Sequence, residues 1–231
     1  MRMRRKKNLE QRIAEHSGQL LGYLIDYAKC SARNICFIRE PLDFREIFGN
    51  DHPVHLEIGC GKGGFAASIA ATHPEINFVA LEKCKNVIVS GLEREDSPKN
   101  LRYIIGLAEF LETGFGKGSV SEIYLNFSCP YPKTSYASKR LTHSRFLKIY
   151  REILTDEGII RQKTDSPDFF RFSLKSFSEN GYEIAAMTEN LHADNALLSG
   201  NVSTEYEKNF VAAGKRIYYA AAKKKKFFSG T

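Results

Sequence analysis

Between residues 54 and 188 the chain alternates short apolar runs with segments whose apolar positions recur every three to four residues. The runs at 54–58, 77–81, 101–105, 122–127 and 159–163 are short and bounded by polar or turn residues, the pattern of buried strands. The segments 63–71 and 86–94 read as helices. In 143–154, Phe146, Leu147, Tyr150, Ile153 and Leu154 fit a 3.6-residue period and leave Arg145, Lys148 and Arg151 on other faces. Gly158 marks the end of that helix. Ser166 can cap the next one, with Pro167 at its first position, Asn180 near its end and Gly181 as its stop. Two late strands follow at 183–188 and 216–222. This alternation predicts an α/β fold with a seven-stranded, mostly parallel sheet and helices on both faces. Ahead of it, residues 8 to about 30 read as a helix with Leu9, Ile13, Leu20, Leu21 and Leu24 as its apolar stripe. Residues 41–50 form a short element closed by the turn signal Gly49-Asn50-Asp51. A length of 231 residues suits one domain over 1–231, with a basic arm at about 1–8 and a helical extension at about 8–50.

The formal net charge of +7 changes the picture, because the basic residues are clustered. One cluster is the N-terminal run Met1-Arg2-Met3-Arg4-Arg5-Lys6-Lys7, a second is Lys133, Lys139, Arg140, Arg145, Lys148 and Arg151, and a third is Lys223 to Lys226. Such clusters predict a polyanionic partner, nucleic acid above all, with the first two contacting phosphates and affinity falling as salt rises. No run approaches the roughly 20 apolar residues of a membrane helix, and no apolar run follows the basic N-terminus as a secretion signal requires. The five cysteines, Cys30, Cys36, Cys60, Cys84 and Cys129, are odd in number and contain no Cys-x-x-Cys. They argue against a disulfide framework or a metal site and for a reducing cytoplasm.

The candidate chemistry begins at Glu57-Ile58-Gly59-Cys60-Gly61-Lys62-Gly63-Gly64, at the carboxyl end of the first predicted strand of the alternation. Gly59, Gly61 and Gly63 allow the backbone to approach a ligand closely, at the end of the sheet where open α/β folds bind ligands. The spacing is not Gly-x-Gly-x-x-Gly. Glu57 would repel a pyrophosphate and suits a cationic methionine group. Glu82 ends the second predicted strand and can accept both hydroxyl hydrogens of a ribose. Glu57, the glycine bend and Glu82 together resemble class I methyltransferases, Rossmann-like enzymes that use S-adenosyl-L-methionine.

After the fourth strand come Asn126-Phe127-Ser128-Cys129-Pro130-Tyr131-Pro132-Lys133 and Lys139-Arg140-Leu141-Thr142, then Lys163-Thr164-Asp165, and later Thr204-Glu205-Tyr206-Glu207. Two prolines stiffen the first loop, and Tyr131 can stack on a base. In their order and spacing these stretches resemble the bacterial tRNA (guanine-N7-)-methyltransferases over nearly the whole chain, from Met1 to about Tyr219. The resemblance implies that Glu57 and Glu82 bind the methyl donor, that Lys133, Asp165, Thr204, Glu205, Tyr206 and Glu207 hold the target guanine and its surroundings, and that the target lies in the tRNA variable loop. Guanine N7 has a free lone pair, so no proton must leave before attack. The purine becomes cationic, and Asp165 and Glu207 are suited to stabilise it and to accept from its N1–H and 2-amino groups. The family's Asp-Pro-Trp-Pro-Lys is here Cys129-Pro130-Tyr131-Pro132-Lys133. Cys129 therefore stands where that family has an acid, as a neutral residue offering its backbone carbonyl. Ser135-Tyr136 replaces an Arg-His pair, and Lys139 replaces an arginine. The acid expected after the third strand aligns with Leu107, with Glu109 two residues on as its substitute.

Three other readings compete. Ser128-Cys129-Pro130-Tyr131 is similar to the loop of amino-methylating enzymes but lacks the first proline. Cys129 as a thiolate would suggest a pyrimidine C5 methylase, yet no second cysteine or activating partner accompanies it. A tRNA-binding protein with a decayed donor site would keep the basic surface and lose turnover. The sequence leaves the oligomeric state open between monomer and homodimer.

Overall fold

The computed structural model describes residues 5–26 and 36–225; Cys30, Lys226 and the first four residues of the basic run lie outside them. The chain divides into two compact units, residues 1–116 and 117–231.

The first unit contains α1 (Leu9–Ala14), β1 (Leu20–Leu24), α2 (Phe44–Phe48), β2 (Val54–Ile58), α3 (Gly64–Thr72), β3 (Asn77–Glu82), α4 (Lys85–Leu92), β4 (Leu101–Gly106) and α5 (Leu111–Gly114). Its strands are parallel in the order β1-β4-β3-β2. Phe78, Val79 and Ala80 of β3 and Leu101, Tyr103 and Ile104 of β4 are completely buried. A strand covered on both faces reads as a continuous apolar run, and these do. The register sets Ile58 beside Leu81 and Glu82 beside Ile105, so the ends of β2, β3 and β4 lie level.

The expected helix from residue 8 to about 30, and with it the helical extension to 50, is corrected here. The helix stops at Ala14, and Leu20–Leu24 is a strand pairing with β4. Gly18 and Gly22 interrupt the helical period, and the open edge of β4 offers hydrogen-bonding groups that a further strand satisfies. Gly22, at φ 142°, lets the Cys36 carbonyl accept from the Tyr23 N–H; a Cβ there would lie 2.7 Å from that oxygen. With β1 the described residues hold eight strands, one more than expected.

The second unit contains β5 (Val120–Asn126), α6 (Ser144–Ile153), β6 (Leu154–Thr164), α7 (Pro167–Glu179), β7 (Tyr182–Thr188), α8 (Asn195–Leu198), α9 (Glu205–Ala212) and β8 (Tyr218–Lys224). The order is β5-β6-β8-β7, with β5 parallel to β6 and both β8 pairings antiparallel. The predicted face of α6 is the buried one, with Phe146, Leu147, Tyr150 and Ile153 inside. Gly158 lies within β6 rather than at a helix end, because the chain passes from α6 into the strand without a loop. Ser166 Oγ accepts from the Phe169 N–H, with Pro167 opening α7. The end of β6 places Lys163 beside Asn126 on one side and Tyr219 on the other.

A close contact tests the β1 pairing. A Cβ on Gly106 would lie 2.6 Å from the Leu24 carbonyl oxygen and 2.7 Å from its Cβ, both near rigid backbone. Gly106→Ala should lower the unfolding free energy by about 2 kcal/mol in a denaturant titration. Gly114→Ala, whose nearest neighbours are flexible tips of Ile38 and Leu24 at 3.2 Å, should cost less.

Candidate active site

In the first unit the bend after β2 runs through three left-handed glycines, Gly59 at φ 86°, Gly61 at 59° and Gly63 at 72°. The N–H groups of Gly59 and Cys60 both donate to the Leu81 carbonyl, at 2.8 and 3.0 Å, which ties the bend to β3. A Cβ on Gly59 or Gly61 would meet no atom within 4 Å, whereas one on Gly63 would strike the Tyr103 hydroxyl at 2.7 Å. The outer side of the bend is therefore a cradle bounded by backbone, and its inner side is packed.

Glu82 closes β3 in an oriented state. Its Oε2 accepts from the Gly61 N–H at 3.3 Å and its Oε1 from the Cys84 N–H at 2.8 Å. Each oxygen keeps a second acceptor position, which suits a ribose diol. Glu57 is buried at 2% exposure at the end of β2. Burial, with Glu57 and Glu82 nearby, holds the Cys60 thiol well above its ordinary pKa, so it stays protonated. Two carboxylates and a glycine cradle fit a sulfonium compound bearing an amino acid and a ribose. Glu109 is exposed on a single turn of 3-10 helix, Ala108–Phe110, four residues beyond the Ile105 that pairs with Glu82.

In the second unit the loop after β5 starts with Phe127 at φ 49° and contains Tyr131 at φ 42°, both unusual for non-glycine residues. Cys129 is an exposed free cysteine. Lys133 is exposed, and Lys139 lies with its ammonium 4.5 Å from the Tyr136 ring centroid. Arg140, expected on RNA phosphates, is committed elsewhere. Its guanidinium donates to the Pro130 and Tyr131 carbonyls, both at 3.0 Å, and stacks on Phe172 at 4.4 Å. It braces the loop from within.

Asp165 follows β6 and is ion-paired with Lys215 at 2.7 Å, its side chain 24% exposed. Glu207 is different: its carboxylate is wholly buried. Its Oε2 accepts from Lys163 at 2.9 Å, and its Oε1 accepts from Asn201 at 2.7 Å and from His192 at 2.9 Å, which puts the proton on Nε2. Thr204 Oγ1 accepts from the Glu207 N–H at 2.9 Å while Glu207 reaches back to the Thr204 N–H, a capping box that starts α9. The expectation of Glu207 as an open acceptor for guanine is thus corrected, since its acceptor capacity is already committed to the protein. Thr204 is buried with it, while Glu205 and Tyr206 are exposed. Sequence reasoning missed Lys163 as a partner, and also Asn201, His192 and Lys215. The Thr-x-x-Glu spacing is a helix-start signature that could have exposed the capping box; His192 and Lys215 carry no comparable signal.

Burial pushes the Glu207 carboxyl up, but the Lys163 charge and the hydrogen bonds from Lys163, Asn201 and His192 outweigh it and hold it below its ordinary value. A folded value below the unfolded one gives stability that is full above the unfolded pKa and lost as pH falls through the folded one. Glu207→Gln should cost about 3 kcal/mol near neutral pH, because it leaves a buried ammonium without its counter-charge. The difference from the native chain should shrink below about pH 4, followed by denaturant unfolding across pH. A pH-independent difference would contradict the ion pair.

A family model for methyltransferases, Methyltransf_4, matches residues 51–220. The chain is 44% identical over 193 residues to the tRNA (guanine-N(7)-)-methyltransferase of Listeria monocytogenes serotype 4b (strain F2365), covering 81% of this chain and 89% of that protein. It is 38% identical over 225 residues to the enzyme of the same name from Bacillus cytotoxicus, covering 96% and 97%. Among solved structures, an antibiotic-related methyltransferase aligns with a TM-score of 0.59 at 18% identity, over 81% of this chain and 98% of that one. The 16S rRNA methyltransferase KamB aligns at 0.59 and 15% identity, over 79% and 93%. These two show the α/β methyltransferase fold. With carboxylates flanking a glycine cradle in one unit and an acid-tipped strand in the other, the chain belongs to the tRNA (guanine-N7-)-methyltransferase family.

Proposed function

We propose that this protein transfers a methyl group from S-adenosylmethionine to N7 of a guanine in the variable loop of tRNA, in the cytoplasm. The observation that carries the reading is Glu82. Its carboxylate is pinned by N–H groups from the glycine bend and from the start of α4, and it keeps acceptor positions for a ribose. Glu57 lies one strand away, at the end of β2, and suits the cationic end of the same molecule.

S-adenosylmethionine supplies an electrophilic methyl carbon on a positively charged sulfur. With the donor bound, the guanine N7 lone pair would attack that carbon, the carbon–sulfur electron pair would stay on sulfur, the neutral thioether would be the leaving group, and the methylated purine would carry the positive charge. No base is required, so an exposed Cys129 in place of an acid is compatible with turnover; in this reading it contributes its backbone carbonyl. Positioning and electrostatics supply the acceleration. Asp165 accepts from guanine N1–H and the 2-amino group, a donor pattern adenine lacks, and its negative charge offsets the cation that forms. Lys133 and Lys139 contact phosphates. Thr204 and Glu207 act at one remove, by holding the start of α9 and the tip of β6. Glu109, the substitute acid, assists at the donor site.

The test is incubation of the protein with unmodified tRNA and labelled methyl donor, followed by mapping of the modified nucleotide. A 7-methylguanine in the variable loop is the expected product; methyl transfer to another atom, or none, rejects the assignment. Glu82→Ala should weaken S-adenosylmethionine binding at least tenfold by calorimetry, the loss of two charge-assisted hydrogen bonds. Failure of the native chain to bind the donor in the millimolar range would instead favour a tRNA-binding module that has lost its donor site.

A further inference from the structure

The loop after β5 is held in a conformation its residues do not favour. Tyr131 sits at φ 42° between Pro130 and Pro132. A bulky side chain avoids the left-handed region, and a residue ahead of proline is pushed toward extended backbone. Such a state persists only where its surroundings over-determine it. The two prolines carry no N–H, so the turn is short of donors of its own. Arg140 supplies them from ten residues on. Its Nε donates to the Pro130 carbonyl and its Nη2 to the Tyr131 carbonyl, both at 3.0 Å. Those two oxygens belong to the peptide planes on either side of the Tyr131 Cα, and fixing both planes fixes φ and ψ of that residue.

The guanidinium is itself seated on α7, with its Cζ 4.4 Å from the Phe172 ring centroid. Two residues on, Thr142 is completely buried and tied to the same helix. The Ser176 hydroxyl donates to the Thr142 carbonyl at 2.6 Å. Ser173 Oγ spends its one proton on the Phe169 carbonyl at 2.8 Å, so it accepts from Gln162 Nε2 at 2.9 Å and from Thr142 Oγ1 at 2.8 Å. The end of the loop is thus anchored to α7, and its strained middle is clamped to that end. We infer that Arg140 is a positioning residue: seated on Phe172 and anchored through Thr142, it locks the Tyr131 turn and presets the Cys129 carbonyl, Lys133 and Lys139 for the acceptor. The inference rests on the methyl-transfer reading given above. Charge alone would place Arg140 on RNA phosphates. A lysine in its place keeps the charge but loses the two-pronged reach and the flat face that stacks on Phe172. A phosphate contact therefore survives as lysine, and a clamp does not.

The experiment uses the full chain and Arg140→Lys. In steady-state methylation of unmodified tRNA, kcat should fall about tenfold while KM for tRNA stays native, because the acceptor is misplaced rather than lost. The slope of log Kd for tRNA against log salt should match the native slope, whereas Lys139→Met should lower it by about 1. Phe172→Leu should reproduce part of the kcat loss, and adding it to Arg140→Lys should cost little more, because ring and guanidinium act together. Hydrogen exchange reads the clamp without turnover. The Tyr136 and Arg140 amides donate to the Lys133 and Ala137 carbonyls at 3.0 and 3.1 Å. In Arg140→Lys the amides at these two positions should exchange about tenfold faster, while α7 keeps its native protection. Native exchange in Arg140→Lys, or a raised KM with native kcat, would overturn the inference. Absence of methyl transfer by the native chain would overturn the methylation reading on its own, and the exchange rates would still decide the clamp.

Discussion

The buried Lys163–Glu207 pair is the constraint on which the tip of β6 and the start of α9 depend. Two charges taken out of water are costly unless their remaining valences are met. Here Lys163 also donates to the Val202 carbonyl at 2.8 Å, and Glu207 is met by Asn201, His192 and the Thr204 N–H. Breaking any partner leaves a buried group uncompensated, so the tip of β6 and the start of α9 are fixed as one piece. Asp165 lies two residues beyond Lys163, Tyr206 one residue before Glu207, and Phe127 on the Lys163 carbonyl. The pair therefore sets where the exposed groups stand, without itself facing a ligand.

At the glycine bend of the first unit the same device is used more openly. Glu82 spends part of its acceptor capacity on two backbone N–H groups and keeps the rest. The difference in burial separates the two roles: Glu207 is sealed and organises its neighbours, whereas Glu82 is half-buried and remains able to accept from a ligand. Tyr103 supports the bend from beneath, its hydroxyl where a Cβ of Gly63 would lie.

Much of this was legible in the residues. The apolar runs at 54–58, 77–81 and 101–105 give strands within a residue of those observed, because strands buried on both faces leave no other period to read. Ser166-Pro167 announced α7, and Gly59, Gly61 and Gly63 announced the left-handed bend after β2. What failed was governed by tertiary contacts. Leu20–Leu24 fits a helical stripe, yet it is recruited by the edge of β4. Glu207 and Arg140 look like ligand-facing charges from sequence, since neither the Lys163 that consumes one nor the loop carbonyls that consume the other can be known before the chain is folded.

The most direct measurement is a crystal structure of the protein with S-adenosylhomocysteine and tRNA. The expected result is a guanine whose N1–H and amino group donate to Asp165 while the Lys163–Glu207 pair stays closed. A guanine held by Glu207 released from Lys163, with Asp165 turned away, would contradict it.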